Sequence, residues 1–262
     1  MTETPAFRLA LLLCDTPLPP VLEEHGDYQA IFYRWLRITS PRNFTLDAFD
    51  VVHKMEYPPD DVKYDAIVLT GSAATAYEDV EWINKLVDYT SNLPRSKPDA
   101  KIIGICFGHQ IIGRAFGGTC VRGSQWDVGI TEVQLTEIGQ RIFDTKALNI
   151  QKMNRDHVPT VPPGFELLGS TDINYNQGMV KYIPDESGKL ARPSDIQILT
   201  VQGHPEFTKR IVAMLVGIRA ERGILTPECA QDAIKRNELS NEAPEVVGRA
   251  VWKVIGAIRP EN

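Results

Sequence analysis

Apolar runs of strand length alternate with amphipathic segments along the first half of the chain. Most of these runs are continuous, which is typical of strands buried on both faces of a sheet. Between them, apolar residues recur at helical spacing, as at Ile31, Trp35 and Ile38, which are expected to share one helix face. The predicted order is strand 8–15, helix 27–38, strand 43–51, strand 64–72, helix 78–93, strand 101–106 and helix 107–118, with a loop at 92–100.

This alternation predicts a parallel sheet with helices on both of its faces. The pattern changes after residue 118, where short strands separated by turn residues favour an antiparallel or mixed extension of the same sheet. Beyond residue 205 the chain becomes helical again. We therefore predict one domain over 1–262, with its core at about 8–220 and C-terminal helices at 221–262.

Composition narrows the class of protein. Of 262 residues, 43% are hydrophobic and 24% are charged, which suffices for a substantial core. The formal net charge is −6 and no Lys/Arg cluster stands out, which argues against a nucleic-acid partner. The N-terminal apolar run, Leu9 to Cys14, is too short for a signal-peptide core, and no segment is long enough to cross a membrane. A cytoplasmic protein with no membrane partner is predicted.

The four cysteines show neither paired spacing nor the spacing of zinc ligands. They are Cys14, Cys106, Cys120 and Cys229. Disulfides are not expected in a reducing compartment. We therefore predict no metal and no cofactor, and at most one of these thiols needs a special explanation.

Cys106 stands where an apolar run ends and an amphipathic segment begins, within Gly-Ile-Cys-Phe-Gly. A sharp strand-to-helix turn of this kind presents its central side chain in a strained position, and glycines flank it because a Cβ there would clash. The positive end of the helix dipole favours a thiolate, and the N–H of Phe107 points to where an oxyanion would form. The alternative interpretation is a buried structural cysteine in a glycine-rich turn.

A cysteine nucleophile also needs a base. Of the five histidines, His109 lies on the helix that follows Cys106 and is expected to point elsewhere. His204 follows another predicted strand, and Glu206 could place its carboxylate on the far imidazole nitrogen, as in a catalytic triad. Taken alone, His-Pro-Glu is also compatible with a surface turn.

The two motifs together, Gly-Ile-Cys-Phe-Gly-His-Gln and Gln-Gly-His-Pro-Glu-Phe, resemble those of class I glutamine amidotransferase domains. The resemblance covers roughly residues 8–220. It implies an α/β fold, namely a flavodoxin-like open sheet with mostly parallel central strands, helices on both faces and an antiparallel extension. It also implies Cys106 as the nucleophile, His204 as the base and Glu206 as the residue that orients the base.

The same resemblance places the second oxyanion donor in a glycine-containing loop after an earlier strand. In this chain the backbone around Gly71 and Ser72 fills that place, beside the N–H of Phe107. Many family members have two adjacent glycines there, whereas this chain has Gly-Ser. Serine is less free in φ than glycine, so the loop geometry does not follow from the resemblance alone.

Within the family, the middle of the chain is similar to free-standing γ-glutamyl peptidases and related plant and fungal proteins. The likeness lies in Trp-Asp-x-Gly, which begins at Trp126, and in the Val-Pro-Pro-Gly that follows later. That group commonly has a His-Gln-Asp-like sequence where this chain reads Asn-Arg-Asp-His at 154–157. The departure lies on the expected substrate rim, so it bears on specificity more than on chemistry.

Three residues are predicted to contact a γ-glutamyl substrate. Gln110 is expected to contact the glutamyl moiety, Asp156 to accept from its α-ammonium, and Arg155 to bind a carboxylate such as that of the leaving group. For Arg155 and Asp156 the alternative is that they are solvated loop charges. Trp126 is interpreted as a core aromatic residue in preference to a platform for substrate.

The reaction implied by the resemblance is hydrolysis of a γ-glutamyl amide bond through a γ-glutamyl thioester. The substrate would be glutamine or a small γ-glutamyl peptide such as glutathione or one of its conjugates. Two alternatives remain open. A glutaminase subunit would pass ammonia to a separate synthase partner that docks on an apolar surface, and a non-catalytic member of the fold would act as a binding or redox-sensing module.

Overall fold

The structure is a computed structural model that describes residues 7–183 and 192–258. Within these ranges the strands form two sheets. In chain order the strands are β1 (Phe7–Leu13), β2 (Phe44–Asp50), β3 (Ala66–Leu69), β4 (Lys101–Ile105), β5 (Val121–Leu135), β6 (Ala147–His157), β7 (Glu166–Leu167), β8 (Gly169–Ser170), β9 (Gly178–Tyr182) and β10 (Ile196–Val201).

The larger sheet has seven strands in the order β2-β1-β3-β4-β10-β9-β7. Neighbours from β2 to β10 are parallel, and β9 and β7 continue the sheet in antiparallel orientation. Leu9 and Leu11 of β1 belong to one apolar core, whereas Ala10 and Leu12 belong to another. The central strands are therefore buried on both faces, and the predicted mostly parallel sheet with an antiparallel extension is confirmed.

Helices cover both faces of this sheet. On one face α2 packs against α8, and on the other α3 packs against α4. The helices are α1 (Pro19–His25), α2 (Tyr28–Thr39), α3 (Glu81–Ser96), α4 (Phe107–Ala115), α5 (Glu137–Phe143), α6 (Lys209–Glu221), α7 (Pro227–Arg236) and α8 (Ala243–Ile255). Among the described residues, none of these helices is long and apolar enough to cross a membrane.

The last helix belongs to the main core. Trp252 of α8 is fully buried, and its indole N–H donates to the carbonyl of Leu36 on α2 at 3.1 Å. The single domain predicted over 1–262 stays a prediction, and its first six and last four residues lie outside the described ranges.

The second half of the chain departs from the prediction in one respect. β9 and β7 do extend the main sheet, but β5, β6 and β8 form a separate three-stranded antiparallel sheet. β5 pairs with β6 from Val121 to Gln134 with a register shift after Arg122. Local alternation predicts that a segment is a strand, but the sheet it joins depends on partners far away in sequence, so the assignment of these strands to the main sheet was wrong.

Three smaller features also differ from the sequence analysis. Helix α5 follows Thr136, whose hydroxyl accepts from the N–H of Gly139 at 3.1 Å, and no element was predicted there. Helix α3 continues through Pro94 into the segment predicted as a loop. Ile38 is 55% exposed, so it does not share the buried face of Ile31 and Trp35.

Candidate active site

Cys106 lies in the turn between β4 and α4. Its backbone conformation is one that residues other than glycine rarely adopt. Its φ is 50° and its ψ is −101°, and it is the residue before the first turn of α4. Its N–H donates to the carbonyl of Val201 at the end of β10, at 2.9 Å. The turn therefore presents the thiol at the carboxyl end of the parallel strands, where open α/β sheets bind ligands.

The glycines on either side of this turn are required by close packing. A Cβ on Gly108 would lie 2.5 Å from the carbonyl oxygen of Leu69, and one on Gly104 would lie 2.6 Å from the Cδ1 of Ile112. Atoms cannot approach so closely, so β3, β4 and α4 can meet here only without these side chains. A Cβ on either flanking glycine would therefore clash, as the sequence analysis expected.

His204 and Glu206 form a buried pair just beyond the end of β10. The Nδ1 of His204 lies 2.8 Å from the Oε1 of Glu206, and both side chains are almost fully inaccessible. The imidazole also stacks on Phe207, with ring centroids 4.0 Å apart and an interplanar angle of 4°. These contacts fix the orientation of the ring, as the third member of a triad does.

The electrostatics of the pair favour an imidazolium. Burial opposes the charged form of His204, but the charges of Cys106 and Glu206, together with the hydrogen bond to Glu206, raise its pKa from 6.5 to about 10. The raised pKa favours the imidazolium at neutral pH. The imidazolium can hold a thiolate on Cys106 as an ion pair and can later donate its proton.

Gly71 lies against both Cys106 and His204. A Cβ added to Gly71 would lie 2.8 Å from the Cε1 of His204 and 3.7 Å from the Cβ of Cys106. The backbone after β3 therefore touches both groups, which follow β4 and β10. These three strands are neighbours in the sheet, so residues distant in sequence meet at one edge.

The loop after β3 is held by contacts at both of its ends. The Thr70 hydroxyl donates to the carbonyl of Gly71 at 3.0 Å and accepts from the N–H of Cys14 at 2.9 Å. Further along, the N–H of Ala73 donates to Asp15 at 2.7 Å. Because the C=O and N–H of a trans peptide point in opposite directions, fixing the Gly71 carbonyl also fixes the N–H of Ser72.

The predicted oxyanion donors are available in this arrangement. The backbone N–H groups of Ser72 and Phe107 donate to no acceptor within residues 7–183 and 192–258. Phe107 directly follows Cys106 in the chain, and Ser72 follows Gly71, which lies against Cys106 and His204. The assignment of Gly71, Ser72 and Phe107 to an oxyanion hole stays a prediction.

Gln202 is a site residue that the sequence analysis missed. Its amide Nε2 donates to the Sγ of Cys106 at 3.5 Å, and a donor in this position can stabilise negative charge that develops on sulfur. Its Oε1 accepts from the Nε2 of Gln110 at 3.2 Å. The sequence signal was its place just before Gly-His in the quoted motif, although a glutamine at a strand end has no distinctive pattern of its own.

His109 points away from Cys106, as predicted. Its Nδ1 lies 2.8 Å from the hydroxyl of Thr200, and the side chain is completely buried. Burial and the nearby Lys152 lower the pKa of His109 to about 3. A neutral imidazole in this environment is structural.

A cavity of about 380 Å³ opens beside Cys106 and His204. Gln110, Arg155 and Asp156 all line it. Both amide hydrogens of Gln110 are engaged within the protein, by the Asp156 carbonyl at 2.8 Å and by the oxygen of Gln202, so its own oxygen is the group left for a substrate. The three residues lie where substrate contacts are expected, and their roles stay predictions.

The two charged residues of this group differ in how they are held. One carboxylate oxygen of Asp156 accepts from the Thr75 hydroxyl at 3.0 Å. Arg155 donates from Nε to the carbonyl of Gly123 at 3.0 Å and from one terminal nitrogen to that of Ser124 at 3.4 Å. Arg155 thus ties its own strand to β5, and its other N–H groups have no acceptor among the residues that the structure describes.

Trp126 lines the same cavity, and the guanidinium of Arg219 lies over its ring at 5.2 Å from the centroid. Its body packs against the apolar cluster between β5 and α6, as a core aromatic does. Arg219 itself carried no sequence signal.

Across the described part of the chain, no three His, Cys, Asp or Glu residues cluster in the way that a metal site would require.

Comparison with known proteins agrees with the fold and the motifs. The family model for glutamine amidotransferase class-I matches residues 28–212. A glutamine amidotransferase-like protein of Schizosaccharomyces pombe is 34% identical over 245 residues, which cover 88% of this chain and 92% of that protein. Gamma-glutamyl peptidase 5 of Arabidopsis thaliana is 29% identical over 259 residues, which cover 95% and 93%.

A solved structure shows the same fold. The glutamine amidotransferase of Thermotoga maritima superposes with a TM-score of 0.68 at 16% identity, over 96% of this chain and 99% of that one. Together with the match of the family model and the extent of the yeast relative, this similarity leads to one conclusion. The chain belongs to the class I glutamine amidotransferase family.

Proposed function

We propose that this protein is a cysteine-dependent hydrolase of γ-glutamyl amide bonds, acting on glutamine or small γ-glutamyl peptides through a γ-glutamyl thioester. The observation that carries the proposal is the strained Cys106 beside a buried His204–Glu206 pair. Membership of the family supports an amidotransferase or hydrolase activity in general. The names of the plant relatives favour γ-glutamyl peptides as the substrate class.

The first half of the reaction forms the thioester. The Cys106 thiolate attacks the γ-carbonyl carbon, and the negative charge moves to the carbonyl oxygen. The N–H groups of Ser72 and Phe107 stabilise that oxyanion. As the intermediate collapses, the C–N bond breaks and the His204 imidazolium gives its proton to the leaving amine.

The second half releases glutamate. His204, now neutral, takes a proton from water as the water oxygen attacks the thioester carbon. The same donors hold the second oxyanion, and its collapse breaks the C–S bond. The thiolate and the imidazolium are restored together, so Glu206 supports a positive charge at the start and at the end of each cycle.

Amine release from a panel of substrates tests this proposal. The panel is glutamine, glutathione, a glutathione S-conjugate and a γ-glutamyl polyamine, each assayed with the wild-type protein and with Cys106→Ala. Multiple turnovers that fall by about 10³-fold or more in Cys106→Ala are expected. Cys229→Ala is the matched control, because Cys229 is a half-buried free thiol on α7 and should leave the rate unchanged.

The outcome also discriminates between the alternatives. Turnover of γ-glutamyl peptides above glutamine supports a stand-alone peptidase. Release of ammonia from glutamine alone, or only after cell extract is added, supports a glutaminase subunit with a synthase partner. No turnover with any substrate contradicts the proposal and leaves a binding or redox-sensing role.

A further inference from the structure

One wall of the active-site cavity is built by α6 and the turn before it. Phe207, Ile211, Leu215 and Arg219 line the cavity at every fourth position, and this spacing places them on one face. The wall starts beside the histidine, because Phe207 stacks on His204. It ends at a guanidinium in the last turn of the helix.

Arg219 has no ion-pair partner among residues 7–183 and 192–258. Its guanidinium lies over the ring of Trp126 and makes no hydrogen bond or ion pair with any residue in the described ranges. Burial lowers its pKa, although the charge is retained. A partly desolvated cation without an acceptor is costly unless a ligand supplies one.

The charge of Asp15 favours the charged form of Arg219 from a distance, but the two side chains form no ion pair. Both carboxylate oxygens of Asp15 accept from backbone N–H groups, those of Thr16 and Ala73, at 2.7 Å each. By contrast, Arg210 on the same helix pairs with Glu24 at 2.9 Å. Arg210 therefore has a carboxylate partner, whereas the described part of the chain offers none within ion-pair distance of Arg219.

The position of Arg219 identifies the part of the substrate it would meet. His204 protonates the leaving amine, so the leaving group departs on the side of the imidazole, where the α6 wall begins. Asp156 lies instead against the loop after β3, through Thr75. Ile211 and Arg219 are separated by about 12 Å along the helix axis. Since an extended residue spans about 3.5 Å and arginine side chains lean toward the helix N-terminus, a leaving part of a few residues matches the length of this wall.

We propose that Arg219, held over Trp126, is the carboxylate-binding subsite for the leaving group. The preferred substrates are then γ-glutamyl peptides whose leaving part ends in a free carboxylate, in preference to glutamine and γ-glutamyl amines. The planar guanidinium can meet a carboxylate with two parallel N–H···O bonds. This inference rests on the proposed hydrolase function and assigns its specificity.

The test compares two peptides that differ in one group. The kcat/KM values of γ-glutamyl-alanyl-glycine and of its C-terminal amide are measured for the wild-type protein, Arg219→Gln and Arg219→Lys. Arg249→Gln is the matched control, because Arg249 is an exposed arginine on α8 that does not line the cavity. Thermal unfolding of each variant shows whether the fold is intact.

The wild-type protein is expected to favour the acid over the amide by about tenfold or more. Arg219→Gln should remove that preference by lowering the rate for the acid alone, whereas Arg249→Gln should keep it. Arg219→Lys should retain part of the preference for the acid, because an ammonium keeps the positive charge but lacks the two parallel N–H donors of the guanidinium. Binding of the acid to Cys106→Ala should weaken by a similar factor when Arg219→Gln is added.

The results separate this inference from the function on which it rests. Turnover of both peptides at equal rates, or a preference that survives Arg219→Gln, overturns the subsite and leaves the hydrolase. Absence of turnover of both peptides and of glutamine overturns the two together.

Discussion

The floor and the α6 wall of the cavity are built in different ways. The floor consists of Gly71, Cys106 and His204, and backbone packing determines it, since a Cβ on Gly71 would strike the imidazole. The wall consists of Phe207, Ile211, Leu215 and Arg219, and side chains on a regular helix determine it. A site of this kind can keep its chemistry while its specificity varies, because changes on the wall leave the floor in place.

The largest effect on catalysis short of losing Cys106 is expected for Glu206→Gln. The amide keeps the shape but removes a negative charge that raises the pKa of His204. kcat should fall by about 10²-fold or more, and its decline at alkaline pH, near 10 in the wild type, should move to lower pH. The pH dependence of kcat measures both effects.

The stability of the two proteins gives an independent check on this pair. A raised pKa means that protonated His204 stabilises the folded state fully below pH 6.5 and that this contribution is lost as the pH rises toward 10. Glu206→Gln should therefore show a smaller loss of stability across that window. Glu221→Gln, at the exposed end of α6, is the matched control. An alkaline decline that stays in place would contradict the role given to Glu206.

Two glycine substitutions, one in α4 next to the floor and one in α6 behind the wall, sharpen the contrast between the two regions. Gly108→Ala should lower the free energy of unfolding by about 1–3 kcal/mol and reduce activity more than tenfold, because the new Cβ displaces Leu69 and the loop after it. Gly217→Ala on α6 meets nothing within 4 Å and should raise that free energy by about 0.4–1 kcal/mol with activity unchanged. Denaturant unfolding and kcat together report both results. Equal behaviour of the two variants would mean that the floor is not under steric constraint.

The smallest expected loss of activity concerns the loop after β3. Thr70→Val removes the hydroxyl that holds the Gly71 carbonyl and leaves the buried N–H of Cys14 without an acceptor. kcat should fall by about tenfold, and unfolding should become easier by about 1–3 kcal/mol. Thr90→Val is a matched control, because the Thr90 hydroxyl is buried and has no hydrogen-bond partner among the described residues. If Thr70→Val leaves kcat and stability as unchanged as Thr90→Val does, the loop does not depend on the hydrogen bonds of the Thr70 hydroxyl.

The parts of the site that could be predicted from the sequence are those with local signals. Cys106 has a glycine two residues before it and another two residues after it, which predicts a tight turn. His204 and Glu206 lie within one short motif. Buried strands can likewise be predicted from continuous apolar runs. These features depend on neighbours within a few residues, so the sequence contains most of what determines them.

The remaining features arise from distant partners. Gln202 contacts the sulfur only because β10 lies beside β4, and Arg219 meets Trp126 only because α6 packs against the second sheet. That second sheet was itself predicted as part of the first. Side-chain geometry across elements is a property of packing, and no periodicity along the chain encodes it.

The turn at Cys106 has an evolutionary consequence. A residue with a Cβ at φ 50° and ψ −101° carries about 1–3 kcal/mol of backbone strain, which glycine in that place would largely release. A glycine codon differs from a cysteine codon by a single base. A lineage that no longer used the thiol would thus have a short route to a more stable protein, and this chain has not taken it.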